Sequence, residues 1–486
     1  MELSTIQLLS LAVTILSVMA LGLHSARKVK SAHDFSIGGR SSGAAIVSGT
    51  IVGTIIGGAA TMGTAQLAFC VGLSAWWFTL GSGIGLLIMS VFYAGPLRNS
   101  GMETISQYLV LHYGRAVGPV TSIASSLGIF FSIVASMLSS VHLLSSVFRL
   151  SAEGAAGITV IIVIAYVFFG GIKGAGLSGI FKLSLLYLTL LVAGATAFNA
   201  LGGMSGLETI FPADPWLNLF GRGVWLDVGN AVSLVVGIIS TQTYVQAIYS
   251  ARDTRTAAIG SLVAAFVTIP VGLPSIMIGM YMHTNFPDML PINALPMYLL
   301  YNLPEWLGGA AITALLLSSI GSVAGLSLGV GTMISRDIIS ELFGVCGARR
   351  LLWLNRACIL IISLCASLFV FGNMQSLVLT WNFLSMALRG VGIFVPLTIA
   401  IFYPGKLPPK AALCSTIAGV VSSLLANIFY PEYNMPLFLG LAVSLLIALI
   451  GIAVNNRATL FFIQKWYYTL QSHLGSAQEP VRHARK

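Results

Sequence analysis

The chain has 486 residues, of which 57% are hydrophobic and only 8% charged, and its formal net charge is +10. A soluble globular domain carries about 25% charged residues, so the composition excludes a water-soluble fold and predicts an all-α polytopic membrane protein. The positive excess does not mark nucleic-acid binding, because the basic residues fall between apolar runs rather than in one patch.

A helix needs about 20 apolar residues to cross the hydrocarbon core. Thirteen candidate spans meet that requirement: 5–24, 44–70, 72–95, 117–148, 155–172, 178–202, 223–247, 258–282, 305–335, 351–372, 376–403, 410–430 and 434–455. The first is read as a retained span. Only Glu2 precedes it and basic residues follow it, whereas a signal peptide has a positive segment in front.

The second span, 44–70, is interrupted by Gly49, Gly53, Gly57, Gly58 and Gly63. Glycine inside a helix costs roughly 1 kcal/mol relative to alanine, and in lipid any freed backbone group must find a partner within the protein or a wet cavity. A helix weakened at mid-membrane therefore predicts carbonyls that bind something.

Basic residues test the span count through the positive-inside rule. With the N-terminus outside, 20 of the 24 Lys and Arg fall in inner segments, among them Arg27, Lys28, Lys30, Arg98, Lys173, Lys182, Arg252, Arg336, Arg349 and Lys406. Outer segments hold only Arg149 and Arg222, and Arg356 and Arg389 lie within spans. The expected topology is N-terminus outside and C-terminus cytoplasmic. The tail 456–475, with Phe461, Phe462, Trp466, Tyr467 and Tyr468 among basic residues, is read as an interfacial helix. The five cysteines, Cys70, Cys346, Cys358, Cys365 and Cys414, have no metal-ligand spacing and are read as small apolar residues.

Acidic residues are almost absent from the spans; Asp227 and Asp337 sit near span ends. No HExxH, Walker A or GxSxG motif occurs, so neither an enzyme nor an ATP-driven pump is expected. A carrier powered by an ion gradient, or a channel, remains. In 305–335 the residues Leu315, Ser318 and Ser319 stand at i, i+3 and i+4, on one helix face. By themselves the serines fit helix packing. With carbonyls near Gly53 and Ile56 they give about five neutral oxygens for a hard monovalent cation, the recurring device of transporters with unwound helices. Arg389, near the middle of 376–403, costs about 2.5–3.5 kcal/mol at mid-membrane. Either a substrate anion or backbone carbonyls in a wet vestibule would be its partner. His142, among serines, is read as a structural hydrogen bond.

These residues together resemble the sodium:solute symporter family of sodium-coupled glucose, proline, sialic acid and pantothenate transporters. The resemblance rests on the span count, Gly57-Gly58 with Gly72-Leu73, Phe169-Gly170-Gly171-Ile172-Lys173, Thr241-Gln242-Thr243-Tyr244-Val245-Gln246 with Ala251-Arg252, and Ser318-Ser319 with Arg336-Asp337. It implies a leucine-transporter-like fold of two inverted five-helix repeats. Residues 1–43 would hold an extra helix and first inner loop, 44–202 the first repeat, 203–222 an external loop and 223–403 the second repeat. Two further helices would occupy 404–455, and a cytoplasmic tail 456–486.

The resemblance places the sodium site on Gly53, Ile56 and Leu315 (carbonyls) and Ser318 and Ser319 (hydroxyls). It places substrate positions at Ala60, Thr61, Phe78, Thr79, Ser82, Thr241 and beside Arg389, with Phe78 as an aromatic gate. Few sugar-binding polar groups are kept. With Arg389, this favours a small solute bearing a carboxylate, such as an amino acid or organic acid. Gly179 stands where many members have an aspartate, which implies one sodium ion per substrate rather than two. The expectation is a sodium-coupled symporter in a plasma membrane, its partners a small solute, sodium and the bilayer. A proton-coupled carrier on the same fold, or a transporter-like sensor or channel, stays open as the alternative.

Overall fold

The computed structural model describes residues 3–26, 38–345, 347–429 and 435–475, and the side chains of 15, 18–26, 166–178, 348, 435 and 457–475 are not among those described. Arg27, Lys28, Lys30, Cys346, the side chains of Phe169–Lys173 and the tail aromatics thus lie outside the described residues. Every described regular element is helical apart from one isolated bridge between Ser42 and Ala251. A helix satisfies its backbone groups internally, which lipid requires.

The principal helices are α1 (Thr5–Ala26), α2 (Ala44–Ile55), α3 (Thr64–Val71), α4 (Trp77–Ile88), α5 (Val117–Phe148), α6 (Ala152–Ala200), α7 (Val224–Ile239) and α8 (Gln242–Ser250). They continue as α9 (Thr254–Thr268), α10 (Gly272–Asn285), α11 (Glu305–Met333), α12 (Ala348–Phe371), α13 (Val378–Phe402), α14 (Pro409–Phe429) and α15 (Met435–Gly475). Among the described residues nine helices are long and apolar enough to cross a membrane, or ten with one bent pair counted as a span.

Several helix starts are written in the local sequence. Asp253 caps α9 by accepting from Thr256 N at 2.7 Å, and Ser151 caps α6 by accepting from Gly154 N at 3.2 Å. An oxygen-bearing cap satisfies one of the orphan donors at a helix start. The end of α3 is fixed by Gly72, with φ of +69°, where a Cβ would lie 2.3 Å from the Trp216 carbonyl. Only glycine fits both that conformation and that approach.

Two expected spans differ from the sequence-based division. Where 155–172 and 178–202 are expected as separate crossings, the backbone is one helical run, Ala152–Ala200, of 49 residues. At 1.5 Å per residue a straight helix of this length is about 73 Å, more than twice the roughly 30 Å hydrocarbon core. The expected span 258–282 is broken by a short 3-10 turn at Ile269–Val271, around Pro270. Proline removes a helix hydrogen bond there.

The core is α11, whose residues from Leu307 to Met333 are buried without exception. A helix apolar on all sides belongs inside a bundle. It packs against α6, α5, α1, α12 and α2. A second group, α4, α7, α9 and α13, closes around α2 and α5. Two helices are broken at mid-length: α2 and α3, by the segment 56–63, and α7 and α8, which meet at 41°.

Candidate functional site: a carbonyl cage and a buried arginine

The break after α2 frees a set of carbonyls, and a complete account can be given of where they go. Ile56 leaves the helix at φ −81°, ψ 79°, and Gly57 N turns back to the Ile55 carbonyl at 3.0 Å. A π-helical turn, Ala59–Gly63, then resumes the span. The Thr54 carbonyl accepts from Ser322 Oγ at 2.6 Å, and the Ile56 carbonyl accepts from Ser318 Oγ. The Gly53 carbonyl accepts from Lys182 Nζ at 2.8 Å. On the other wall, Ser319 Oγ donates to the Leu315 carbonyl at 3.0 Å.

All five residues expected around the cation, Gly53, Ile56, Leu315, Ser318 and Ser319, therefore converge where the broken segment crosses α11, and all are buried. Glycine is needed at this crossing for space. A Cβ on Gly57 would lie 2.0 Å from Ser322 Oγ, and one on Gly58 would lie 2.3 Å from Ser139 Cβ and 2.9 Å from Ser319 Oγ.

Lys182 corrects the charge reading of the sequence. It counts there as an inner-loop residue, yet its side chain is only 2% exposed. Its Nζ lies 2.8 Å from Gly53 O and 3.5 Å from Ser318 O. The approach is possible because α6 meets α2 at Gly179, where a Cβ would stand 2.5 Å from the Gly49 carbonyl. Gly179 thus has a steric reason at this crossing, since any side chain there would strike the Gly49 carbonyl. Lys182, three residues on, lies on the same helix face.

The expected substrate positions are spread along α13, the helix of Arg389. Ala60 and Thr61 lie in the π-helical turn; Thr61 Oγ1 donates to the Gly57 carbonyl at 2.8 Å. Gly63, at the end of that turn, packs on Val378 and Leu379 at the start of α13. Arg389 lies eleven residues further along α13, about 16 Å at 1.5 Å per residue. Between them along α13, the Phe78 ring meets Phe383 edge-on at 6.1 Å, and Thr241 donates to the Gly237 carbonyl at 2.5 Å beside Met386, whose sulfur lies next to Arg389. Ser82 and Thr79 hydroxyls bond carbonyls of Phe78, Trp76 and Ile269 rather than facing a cavity.

Arg389 is fully buried. Its Nη2 donates to Ser132 Oγ at 2.9 Å and lies 2.9 Å from Met386 Sδ. Its Nε and Nη1, and the neighbouring Asn382 Nδ2, have no hydrogen-bond partner among the described residues. Ser132 Oγ lies 2.8 Å from both Asn382 Oδ1 and Ser385 Oγ. Three buried donor nitrogens thus share one network and lack an acceptor among the described residues, a costly arrangement unless an anion or water completes it. His142 bonds the Met374 carbonyl at 2.6 Å, the structural contact expected of it.

Two polar clusters flank these groups. In one, Arg222 pairs with Asp227 at 2.5 Å and covers the Phe383 ring at 5.7 Å. In the other, the Asp337 carboxylate accepts from Thr104, Gln107 and Ser122 at 3.0, 3.2 and 2.9 Å, and Arg336 pairs with Glu103 at 2.9 Å. A cavity of about 290 Å³, lined by Ser106, Gln107, Arg336, Asp337 and Glu341 among others, lies beside this second cluster. Sequence reasoning missed Lys182, Ser322, Ser132 and Asn382. Only Lys182 gave a signal, as a lone cation three residues after an anomalous glycine.

Comparison with known proteins matches this geometry to a family. The sequence model of the sodium:solute symporter family matches residues 35–419. The chain is 23% identical to the high-affinity choline transporter 1 of Drosophila melanogaster, over 74% of this chain and 61% of that protein. It is 24% identical to the high affinity choline transporter 1 of Homo sapiens, over 88% of this chain and 79% of that one. It is also 23% identical to the sodium/proline symporter of Salmonella typhimurium, over 87% of this chain and 88% of that protein. The match thus spans under two thirds of the Drosophila relative's length.

A substrate-bound, outward-open structure of a Na+-coupled sialic acid symporter superposes with a TM-score of 0.78 at 17% identity, covering 93% of this chain and 98% of that one. The transporter MHP1 of the nucleobase-cation-symport-1 family, in a closed conformation, superposes with a TM-score of 0.58 at 10% identity, covering 87% and 95%. These likenesses establish the leucine-transporter fold. The chain is a multi-pass membrane protein, and it belongs to the sodium:solute symporter family.

Proposed function

We propose that this protein is a secondary symporter that couples sodium entry to import of a small organic solute bearing a carboxylate. The convergence of Gly53, Ile56, Leu315, Ser318 and Ser319 oxygens between the broken helix and α11 carries the reading. Neutral oxygens hold a monovalent cation weakly enough to release it, and sodium entry gains about 2.3 kcal/mol per 100 mV of membrane potential. The expected arrangement is thirteen spans in a plasma membrane, with the N-terminus outside and inverted repeats at 44–202 and 223–403. The two mid-length breaks, after α2 and between α7 and α8, support that pairing.

The solute would lie between the Phe78–Phe383 pair and Arg389, with unpaired Nε and Nη1 of Arg389 taking its carboxylate. Relatives named for proline and sialic acid carry such solutes. Relatives named for choline suggest a quaternary cation instead, and aromatic faces suit such cations. Here the Phe383 ring already carries the Arg222 guanidinium, and a buried Arg389 repels a cation.

Uptake into proteoliposomes tests the reading. An inward sodium gradient should drive accumulation of the solute. Ser318→Ala or Ser319→Ala should raise the sodium half-saturation about tenfold, the loss of one oxygen partner of a charge being worth about 1.5–3 kcal/mol. Uptake equally fast with potassium replacing sodium would end the symport reading.

A further inference from the structure

The freed carbonyls are not without a partner: the Lys182 Nζ lies 2.8 Å from Gly53 O and 3.5 Å from Ser318 O, backbone oxygens of two residues expected at the cation site. No salt bridge holds Lys182 among the described residues. Its neighbours α2 and α11 contribute carbonyls and hydroxyls at this level; neither α2 nor the stretch of α11 from Leu315 to Ser322 contains an ionisable side chain.

A buried cation without a carboxylate partner is held only by oxygen dipoles, as a bound sodium ion would be. Ammonium and sodium carry the same charge and are both bound by carbonyl oxygens. Two such charges side by side in one water-poor cage repel strongly. The geometry that admits the lysine is itself specific. Gly179 lets α6 close to within a Cβ's width of Gly49, and that closeness delivers Lys182 to the break in α2.

We propose that Lys182 is a tethered cation that fills the coupling-ion cage in the sodium-free carrier, and that sodium binds there only by displacing its ammonium. This rests on the symport reading of the same cage and adds a regulator to it. The lysine bonds the freed Gly53 carbonyl when no ion is present, so the broken helix stays paired in the empty protein. It also sets the sodium concentration at which the cage changes occupant. Sodium and the lysine are thus alternative occupants of one site.

Neutral variants read this directly. Lys182→Gln and Lys182→Met remove the charge, the Met variant keeping an unbranched chain of similar length for packing, and Lys182→Arg retains the charge. Two readouts are taken on protein that elutes as a single species: the sodium half-saturation of uptake, and the rise in melting temperature caused by sodium without solute. The proposal expects Gln or Met to lower the half-saturation at least fivefold and to enlarge the sodium-induced rise, with Arg doing neither. If wild-type uptake depends on sodium and the neutral variants show the same half-saturation, the tethered-cation proposal is overturned while the symport reading stands. If wild-type uptake ignores sodium but a neutral variant gains sodium-induced stabilisation, the symport reading fails and the tethered cation is upheld. Absence of any response to sodium in wild type and neutral variants alike overturns both.

Discussion

Single residues decide what this protein binds. Arg389 stands in a network with Ser132 and Asn382 in which three buried nitrogens have no acceptor among the described residues. Arg389→Gln should weaken binding of a carboxylate solute by about 10–100-fold, since a hydrogen bond to a charge is worth about 1.5–3 kcal/mol. Sodium-induced stabilisation should hardly change, because the cage is formed by other residues. Equal loss of both, measured by titration of each ligand, would mean that Arg389 holds the fold rather than the solute. The serines were legible in the sequence, since Ser318 and Ser319 follow Leu315 at i+3 and i+4. Lys182 was not. A lysine near an inner span end is ordinarily a solvated charge, and only the packing of α6 on α2 turns it inward.

At the scale of the element, the break between α2 and α3 is sustained by side chains from other helices. Ser322, Ser318 and Lys182 each supply a donor to a carbonyl the break sets free. Glycine serves the same end by removing bulk, at Gly57 against Ser322 and at Gly179 against Gly49. Gly179→Ala should push α6 away from α2 and lower the melting temperature in detergent. Crowding of this kind costs typically about 1–3 kcal/mol. A melting temperature equal to that of the wild type would mean that the helices part there without cost. The glycine run announced a weak helix from sequence alone, because the propensity cost is local. Which carbonyls are freed, and which donors meet them, depends on α11 and α6, more than 100 residues away.

Across the whole molecule, two polar clusters stand apart from the cage, Arg222 with Asp227 and Asp337 with Thr104, Gln107 and Ser122. Alternating access in carriers of this fold opens one side of the site at a time. A ligand that binds the folded protein stabilises it by about 2.7 kcal/mol at 100 times its dissociation constant. Sodium and the solute should therefore each raise the melting temperature, and each should tighten the other's binding by a common factor, typically about 5–150-fold. Affinities that do not depend on each other would deny coupling between the two sites.

The sequence by itself determined the membrane class, the helical fold and the family, and it singled out five residues that the structure brings together. These rest on composition, on apolar runs of spanning length and on short motifs, all local signals. It did not determine that 152–200 runs as one helix, that the expected substrate residues are spread along the helix of Arg389, or that Lys182 reaches the Gly53 carbonyl. Those features arise where helices distant in sequence cross, and the closeness of a crossing is set by tertiary packing. One glycine at such a crossing, Gly179 against Gly49, lets a lysine that would otherwise face water reach the Gly53 carbonyl at the broken helix.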